Sequence, residues 1–205
     1  DNDINEVRSF LKKNNILEYK YYFVANQFWE HKNYEFLFKV FKNLNLTIKK
    51  KFILVSTGSI IDNRNIKISY IENFKNEIDN GLIKILGQID YKFVQGLIYF
   101  AKAYINPSKF EGWNTGVEEA KMMKKHLILS DLGIHREQCE KYNTVNFFNP
   151  KEPGELNQII KKIDSEDNKK INLSEVILDN DLHFKNISLN LQRNYLSIKD
   201  QKLKK

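Results

Sequence analysis

The sequence predicts an α/β protein built on a Rossmann-like, doubly wound parallel sheet of about six strands. Strand-like apolar runs recur along the chain, and segments with helical spacing fill the intervals between them. The composition, 41% hydrophobic with 29% charged, is that of a folded chain rather than a disordered one.

The runs, in order, are YYFVAN (Tyr21 to Asn26), FILVSTG (Phe52 to Gly58), LIKILG (Leu82 to Gly87), AYINPS (Ala103 to Ser108), HLILSD (His126 to Asp131) and VNFFN (Val145 to Asn149). Between the first two, Tyr34, Leu37, Phe38 and Phe41 fall at i, i+3, i+4 and i+7, which gives a helix one apolar stripe for the sheet. The same reading covers Ile68 to Ile78, Val94 to Ala101 and Leu156 to Ile163. Beyond Asp164 a polar loop, SEDNKK, leads into a long helical stretch from about Leu173 to Leu196, expected to dock on another domain. We read 1–205 as one domain, with its core at about 20–165 and a helical extension at about 172–200.

Composition excludes several classes. Cys139 is the only cysteine, so no disulfide forms within the chain, which fits a reducing, cytoplasmic setting. No apolar run approaches the roughly 18 residues of a membrane span. The net charge of +7 is carried mostly by Lys, and spread-out Lys is commonly a solvated face. It also leaves room for a peripheral contact with anionic lipid. YKYYF, at Tyr19 to Phe23, interleaves aromatics with Lys20 but lacks the Gly-flanked signature of an RNA-binding sheet, so no nucleic-acid partner is expected. The chain opens on Asp1-Asn2-Asp3 without Met or an apolar leader, and we expect it to be cut from something larger.

In doubly wound sheets ligands bind outside the carboxyl ends of the strands, so chemistry is expected just after Asn26, Gly58, Gly87, Ser108 and Asp131. The dinucleotide fingerprint G-x-G-x-x-G is absent after the first run, where the chain reads NQFWEHKN, which argues against a nicotinamide or flavin cofactor. Asp1-Asn2-Asp3 and Asp179-Asn180-Asp181 are Asp-x-Asp patterns, but neither follows a strand, and no His, Cys and carboxylate set has ligand spacing, so no metal is expected.

The fourth run leads into SKFEGWNTGVEEAKMMKK, with Glu111 and Gly112 closing the strand and Glu119 on the next helix. Asn114, Thr115 and Gly116 suit a helix start, whose free backbone N–H groups favour phosphate or sugar oxygens. Gly112 and Gly116 allow close backbone approach, and Glu119 is placed to accept hydroxyl hydrogen bonds. Without wider context Glu118 and Glu119 read as helix-favouring surface residues.

The stretch resembles the donor-binding signature of the group 1, retaining GT-B glycosyltransferases: Ser, two residues, Glu-Gly, six residues, Glu-Ala, standing here as Ser108, Glu111, Gly112, Glu119 and Ala120. The likeness extends to LGQID at Leu86 to Asp90, to HLILSDLGIHREQ at His126 to Gln138 and to FFNPKEPGEL at Phe147 to Leu156. It implies the C-terminal, donor-binding half of a GT-B enzyme, with the acceptor domain outside this chain. The donor would be a nucleoside diphosphate sugar, needing no cofactor or metal, and the acceptor a glycan or lipid-linked molecule. In the family the first strand is followed by Gly-Arg and, five residues after the Arg, a Lys that grips the diphosphate. Here Lys32 holds the Lys position, while Asn26 and Gln27 replace Gly and Arg. The resemblance further implies that Glu119 holds the ribose and Glu111 the donor sugar. Asn114, Thr115 and Gly116 would take sugar and phosphates, Gln88 and Ile89 would meet the nucleobase through the main chain, and Gly58 would border the pocket. Lys32 and Glu111 are the expected catalytic pair. His31 is a candidate helper, and Trp29 is expected to pack. His135, Arg136 and Glu137 stand where the family has a small-residue turn and a Glu. A non-catalytic nucleotide-sugar binding module or partner subunit is the alternative.

Overall fold

The computed structural model describes residues 2–48, 50–61 and 69–167. The expected extension at 172–200, Asp1, and the second Asp-x-Asp pattern lie outside the described residues.

Six strands form one parallel sheet in the order β3-β2-β1-β4-β5-β6. They are β1 (Tyr21–Ala25), β2 (Ile53–Thr57), β3 (Ile83–Ile85), β4 (Ala103–Asn106), β5 (His126–Ser130) and β6 (Val145–Phe148). Each falls inside one of the six apolar runs. The runs are continuously apolar because helices cover both faces of the sheet. Tyr21 and Phe23 of β1 join one core with helices α1 (Asn2–Lys13), α4 (Tyr91–Tyr99) and α5 (Thr115–Met122). Tyr22 and Val24 point the other way, into a second core with α2 (Tyr34–Thr47) and α7 (Pro153–Asp167). Two short helices, α3 (Lys75–Asp79) and α6 (Gly133–Gln138), complete the described set.

Three local features differ from expectation. The helix expected from Ile68 to Ile78 is a 3-10 turn over Ser69–Phe74 running into α3. Phe74 and Ile78 still reach the core. Glu111 and Gly112 do not close the fourth strand: β4 ends at Asn106, where Pro107, lacking an N–H, cannot continue the ladder, and Glu111 stands in the following loop. The helix α1 lies ahead of the core expected at about 20–165, and Ile4, Val7 and Leu11 recur in it at helical spacing.

The α1 helix is seated on α4 by close contact. Phe10 stacks on Phe93 with ring centroids 4.3 Å apart. A Cβ added to Gly96 of α4 would lie 2.3 Å from Val7 Cγ1, so the two helices meet where the side chain is missing. Gly96→Ala is therefore predicted to destabilise the fold by about 1–3 kcal/mol through overpacking. Adding Val7→Ala should restore part of that loss in urea unfolding, a non-additive pair that distinguishes the contact from a general intolerance of Ala in α4.

Candidate functional site

The strand order reverses direction between β1 and β4, and at this switch the crossovers leave to opposite faces and open a crevice beyond the carboxyl ends. The loop after β1 is built to a fixed shape. The Tyr34 hydroxyl donates to Asn26 O (2.7 Å) and accepts from Asn26 N (3.1 Å), while its ring stacks on Phe28. Gly58 closes the same corner at φ +122°, where a Cβ would stand 2.0 Å from Asn26 O, so only glycine fits. Asn33, left-handed at φ 57°, donates from Nδ2 to Pro107 O and Pro150 O and so ties the loops after β1, β4 and β6 together.

This framework delivers Lys32 onto Glu111. Lys32 Nζ lies 2.7 Å from both Glu111 oxygens, and both side chains are buried, 11% and 6% exposed. Glu111 Oε1 also accepts from Ser108 Oγ (2.6 Å), Asn106 Nδ2 (3.1 Å) and Asn114 Nδ2 (3.1 Å). Oε2 is held by Lys32 and carries the lower hydrogen-bond load. Burial alone would raise the Glu111 carboxyl, but the donors Lys32, Ser108 and Asn106, with the charge of Lys32, hold it below the ordinary glutamate value.

Asn114 also shapes the next helix, because its Oδ1 accepts from Val117 N (3.1 Å) and caps α5. Thr115 and Gly112 are exposed beside it, and a Cβ on Gly112 would meet nothing. Gly116 differs from expectation. A Cβ there would lie 2.3 Å from the Tyr104 hydroxyl, so glycine is required first by packing of α5 on β4. Glu118 and Glu119 separate cleanly. Glu118 binds Lys121 and Gln138 within the α5–α6 contact, whereas Glu119 takes one bond, from the Tyr91 hydroxyl of α4 at 2.6 Å. Burial raises the Glu119 carboxyl above its ordinary value, with the Tyr91 bond opposing.

Next to the crevice, a cavity of about 600 Å³ opens over the ends of β1, β2 and β3, lined by Ala25, Asn26, Gln27, Thr57, Gly58, Gly87, Gln88, Ile89 and Val94. Gln27 Oε1 accepts from Ser59 N (2.8 Å), leaving its amide N–H groups as what Gln27 offers a ligand. Among the described residues Asn26 Nδ2 is buried without a hydrogen-bond partner. Of the expected residues, Gln27, Gly58, Gln88 and Ile89 lie at the cavity, Lys32, Glu111 and Asn114 form one bonded cluster, Glu119 bonds Tyr91, and Gly112, Thr115 and Gly116 flank the Asn114 cap. His31 is half-buried, its ring 5.6 Å from Trp29 and 6.4 Å from Phe110, and burial followed by the Lys32 charge lowers its pKa. His135 is buried and donates from Nδ1 to Ser130 O (2.8 Å). Arg136 pairs with Asp131, and Glu137 is exposed. Asn106, Tyr91 and Tyr34 belong to the site without being recognisable in the sequence, because each acts through tertiary contacts that no motif records. Among the described residues no group of three His, Cys, Asp or Glu side chains is placed to hold a metal ion, and no helix is long and apolar enough to cross a membrane.

The family model described as glycosyl transferases group 1 matches residues 7–176. The chain belongs to this family. No curated protein sequence matches the chain at a significant level. Solved GT-B glycosyltransferases share its fold. A sucrose-phosphate synthase from Thermosynechococcus elongatus superposes with a TM-score of 0.65 at 17% identity, covering 96% of this chain and 49% of that one. An alpha,alpha-trehalose 6-phosphate synthase from Burkholderia multivorans gives 0.63 at 11% identity, covering 97% and 46%. A UDP-forming trehalose-phosphate synthase from Burkholderia xenovorans gives 0.60 at 13% identity, covering 98% and 48%. This group 1 glycosyltransferase chain therefore spans about half the length of the solved structures it resembles.

The opposite shifts of the two glutamates give a pH signature. Glu111, depressed by folding, contributes stability that is present above the unfolded value and lost as pH falls through the folded one. Glu119, raised by folding, weighs against the native state once pH rises through its folded value and not below the unfolded one. Glu119→Gln is predicted to raise the urea midpoint at about pH 7 and to leave it nearly unchanged at about pH 4, near the ordinary glutamate value. Glu111→Gln should do the reverse at neutral pH, with its loss shrinking in acid.

Proposed function

We propose that this chain is the donor-binding half of a retaining, nucleotide-sugar-dependent glycosyltransferase that moves a hexose-type sugar to a glycan or lipid-linked acceptor without a metal ion. The observation that carries the reading is the buried Lys32–Glu111 pair at the sheet's switch point, beside a cavity lined by Gln27, Gly58, Gln88 and Ile89. Membership in the group 1 family supports it, as do two structural neighbours, one a UDP-forming synthase and the other bound with UDP-2-fluoro glucose. A uridine diphosphate sugar is accordingly the first donor to test.

In this reading the nucleobase enters the cavity against the main chain of Gln88 and Ile89, past Gly58. Glu119 accepts the ribose hydroxyls, which relieves a carboxylate that folding leaves with the Tyr91 hydroxyl as its donor. The diphosphate lies between Lys32, the Gln27 amide and the backbone N–H groups at the start of α5, from Asn114 to Gly116. As the bond from the sugar to the diphosphate breaks, negative charge grows on the leaving oxygen, and a fixed cation there stabilises the transition state more than the ground state. Gln27 in place of an Arg leaves that role chiefly to Lys32. Glu111 Oε2 faces the sugar and can accept one hydroxyl, while Oε1 stays committed to the loop. A second domain would supply the acceptor and close the cleft.

Calorimetry on the chain checks this directly. UDP and UDP-glucose are predicted to bind equally well with and without a chelator. Hydrogen bonds to a charged group contribute about 1.5–3 kcal/mol, so Glu119→Ala should weaken both ligands by about 10- to 150-fold. Lys32→Met should weaken UDP while sparing uridine. Binding that appears only with added magnesium or manganese would contradict the metal-free mechanism.

A further inference from the structure

The first turn of α4 links the cavity to the carboxylate on α5. Ile89, just ahead of that turn, and Val94 within it line the cavity over β1, β2 and β3. Tyr91 stands between them in sequence and reaches across to α5, where its hydroxyl donates to Glu119 Oε1 at 2.6 Å and leaves Oε2 of the same carboxylate for a second donor. The Tyr91 side chain is 40% exposed and belongs to neither core, so burial is not what it contributes. Burial raises the Glu119 carboxyl, and the Tyr91 hydroxyl works against that rise. A desolvated carboxylate costs more than a neutral partner would for joining two helices, so the bond is explained by what the second oxygen takes rather than by the joint itself.

Resting on the donor reading above, we propose that Tyr91 is a positioning residue for ribose: it holds Glu119 Oε1 so that Oε2 meets a ribose hydroxyl, and it thereby makes the chain select ribonucleotides over their deoxy forms. The physical cause is preorganisation. A glutamate side chain has three rotatable bonds, and a ligand that must immobilise it on binding loses affinity. The hydroxyl of Tyr91 orders the carboxylate before any ligand arrives. It also keeps Glu119 an acceptor, because a hydrogen bond given to the ionised form favours that form, and the ionised carboxylate accepts with both oxygens. One turn of α4 carries both Val94 and Tyr91, so a base seated in the cavity and a ribose on Glu119 are held in register by the same element.

Calorimetry on the full chain, with UDP and with the 2′,3′-dideoxy form of UDP that lacks both ribose hydroxyls, tests this. Wild type is expected to bind UDP at least about tenfold more tightly than the dideoxy ligand. Tyr91→Phe keeps the ring and removes the hydroxyl. It should weaken UDP by about 3- to 12-fold and leave the dideoxy ligand within about twofold of wild type. In a Glu119→Ala background the same change should cost UDP no more than about twofold, since the residue it acts through is gone. Equal losses for both ligands in Tyr91→Phe would mean a structural tie between α4 and α5 and would overturn the proposal. So would a Tyr91→Phe chain that keeps the wild-type preference for UDP, a result that leaves the donor reading standing. A wild-type chain that takes no UDP sinks the donor reading itself, and one that binds the two ligands equally removes Glu119 from the ribose; the proposal falls with either.

Discussion

One buried ion pair fixes the geometry of the carboxyl edge. Lys32 and Glu111 reach it from loops after β1 and β4, the two strands between which the sheet changes direction. Removing two charges from water costs several kcal/mol for each ion, and their mutual attraction offsets this only when the remaining lone pairs are also satisfied. Here Ser108, Asn106 and Asn114 satisfy Oε1 of Glu111, Oε2 accepts from Lys32, and Asn106 Oδ1 in turn accepts from Ser108 N at 3.0 Å. Asn114 then passes the constraint on, because the same side chain caps α5 and so sets where that helix begins. The cap, the crevice floor and the position of the Lys32 cation are consequences of one arrangement.

The two edges of the sheet differ in how completely they are satisfied. At the amino edge Asp164 of α7 takes both Lys102 (2.8 Å) and Lys50 (2.6 Å), an arrangement that docks the helix. At the carboxyl edge an amide of Asn26 has no partner among the described residues, Glu119 is desolvated against one hydroxyl, and Phe110 and Trp113 stand in water. The unpartnered amide and the desolvated carboxylate each cost stability in the free chain. Both lie beyond the carboxyl ends of the strands, where sheets of this kind bind ligands.

The six strands are legible in the sequence because parallel strands buried on both faces write themselves as uninterrupted apolar runs, and each run contains its strand. The helix α1 carries a stripe of Ile4, Val7 and Leu11 at helical spacing, yet its seat on α4 depends on a glycine that no local pattern marks. Individual site residues can be picked out by type and spacing, yet the bond that joins Lys32 to Glu111 spans 79 positions, and no local pattern encodes it. The same holds for Tyr91 on Glu119 and for Tyr104 beneath Gly116, where tertiary packing decides what a residue touches. Gly116 shows the limit well. Its type suggests room for a ligand, and the structure requires it first as room for a tyrosine.

The most direct test of the central pair is a double-mutant cycle, with Lys32→Met, Glu111→Gln and both together followed by urea unfolding at neutral pH. If the pair organises the edge, either single change leaves a buried charge without its partner and should cost about 3 kcal/mol. The double variant, neutral on both sides, should then cost no more than either single one, a coupling of about 3 kcal/mol or more. Losses that simply add, to within about 0.5 kcal/mol, would mean that the two residues do not act as a pair, and the central claim would be wrong.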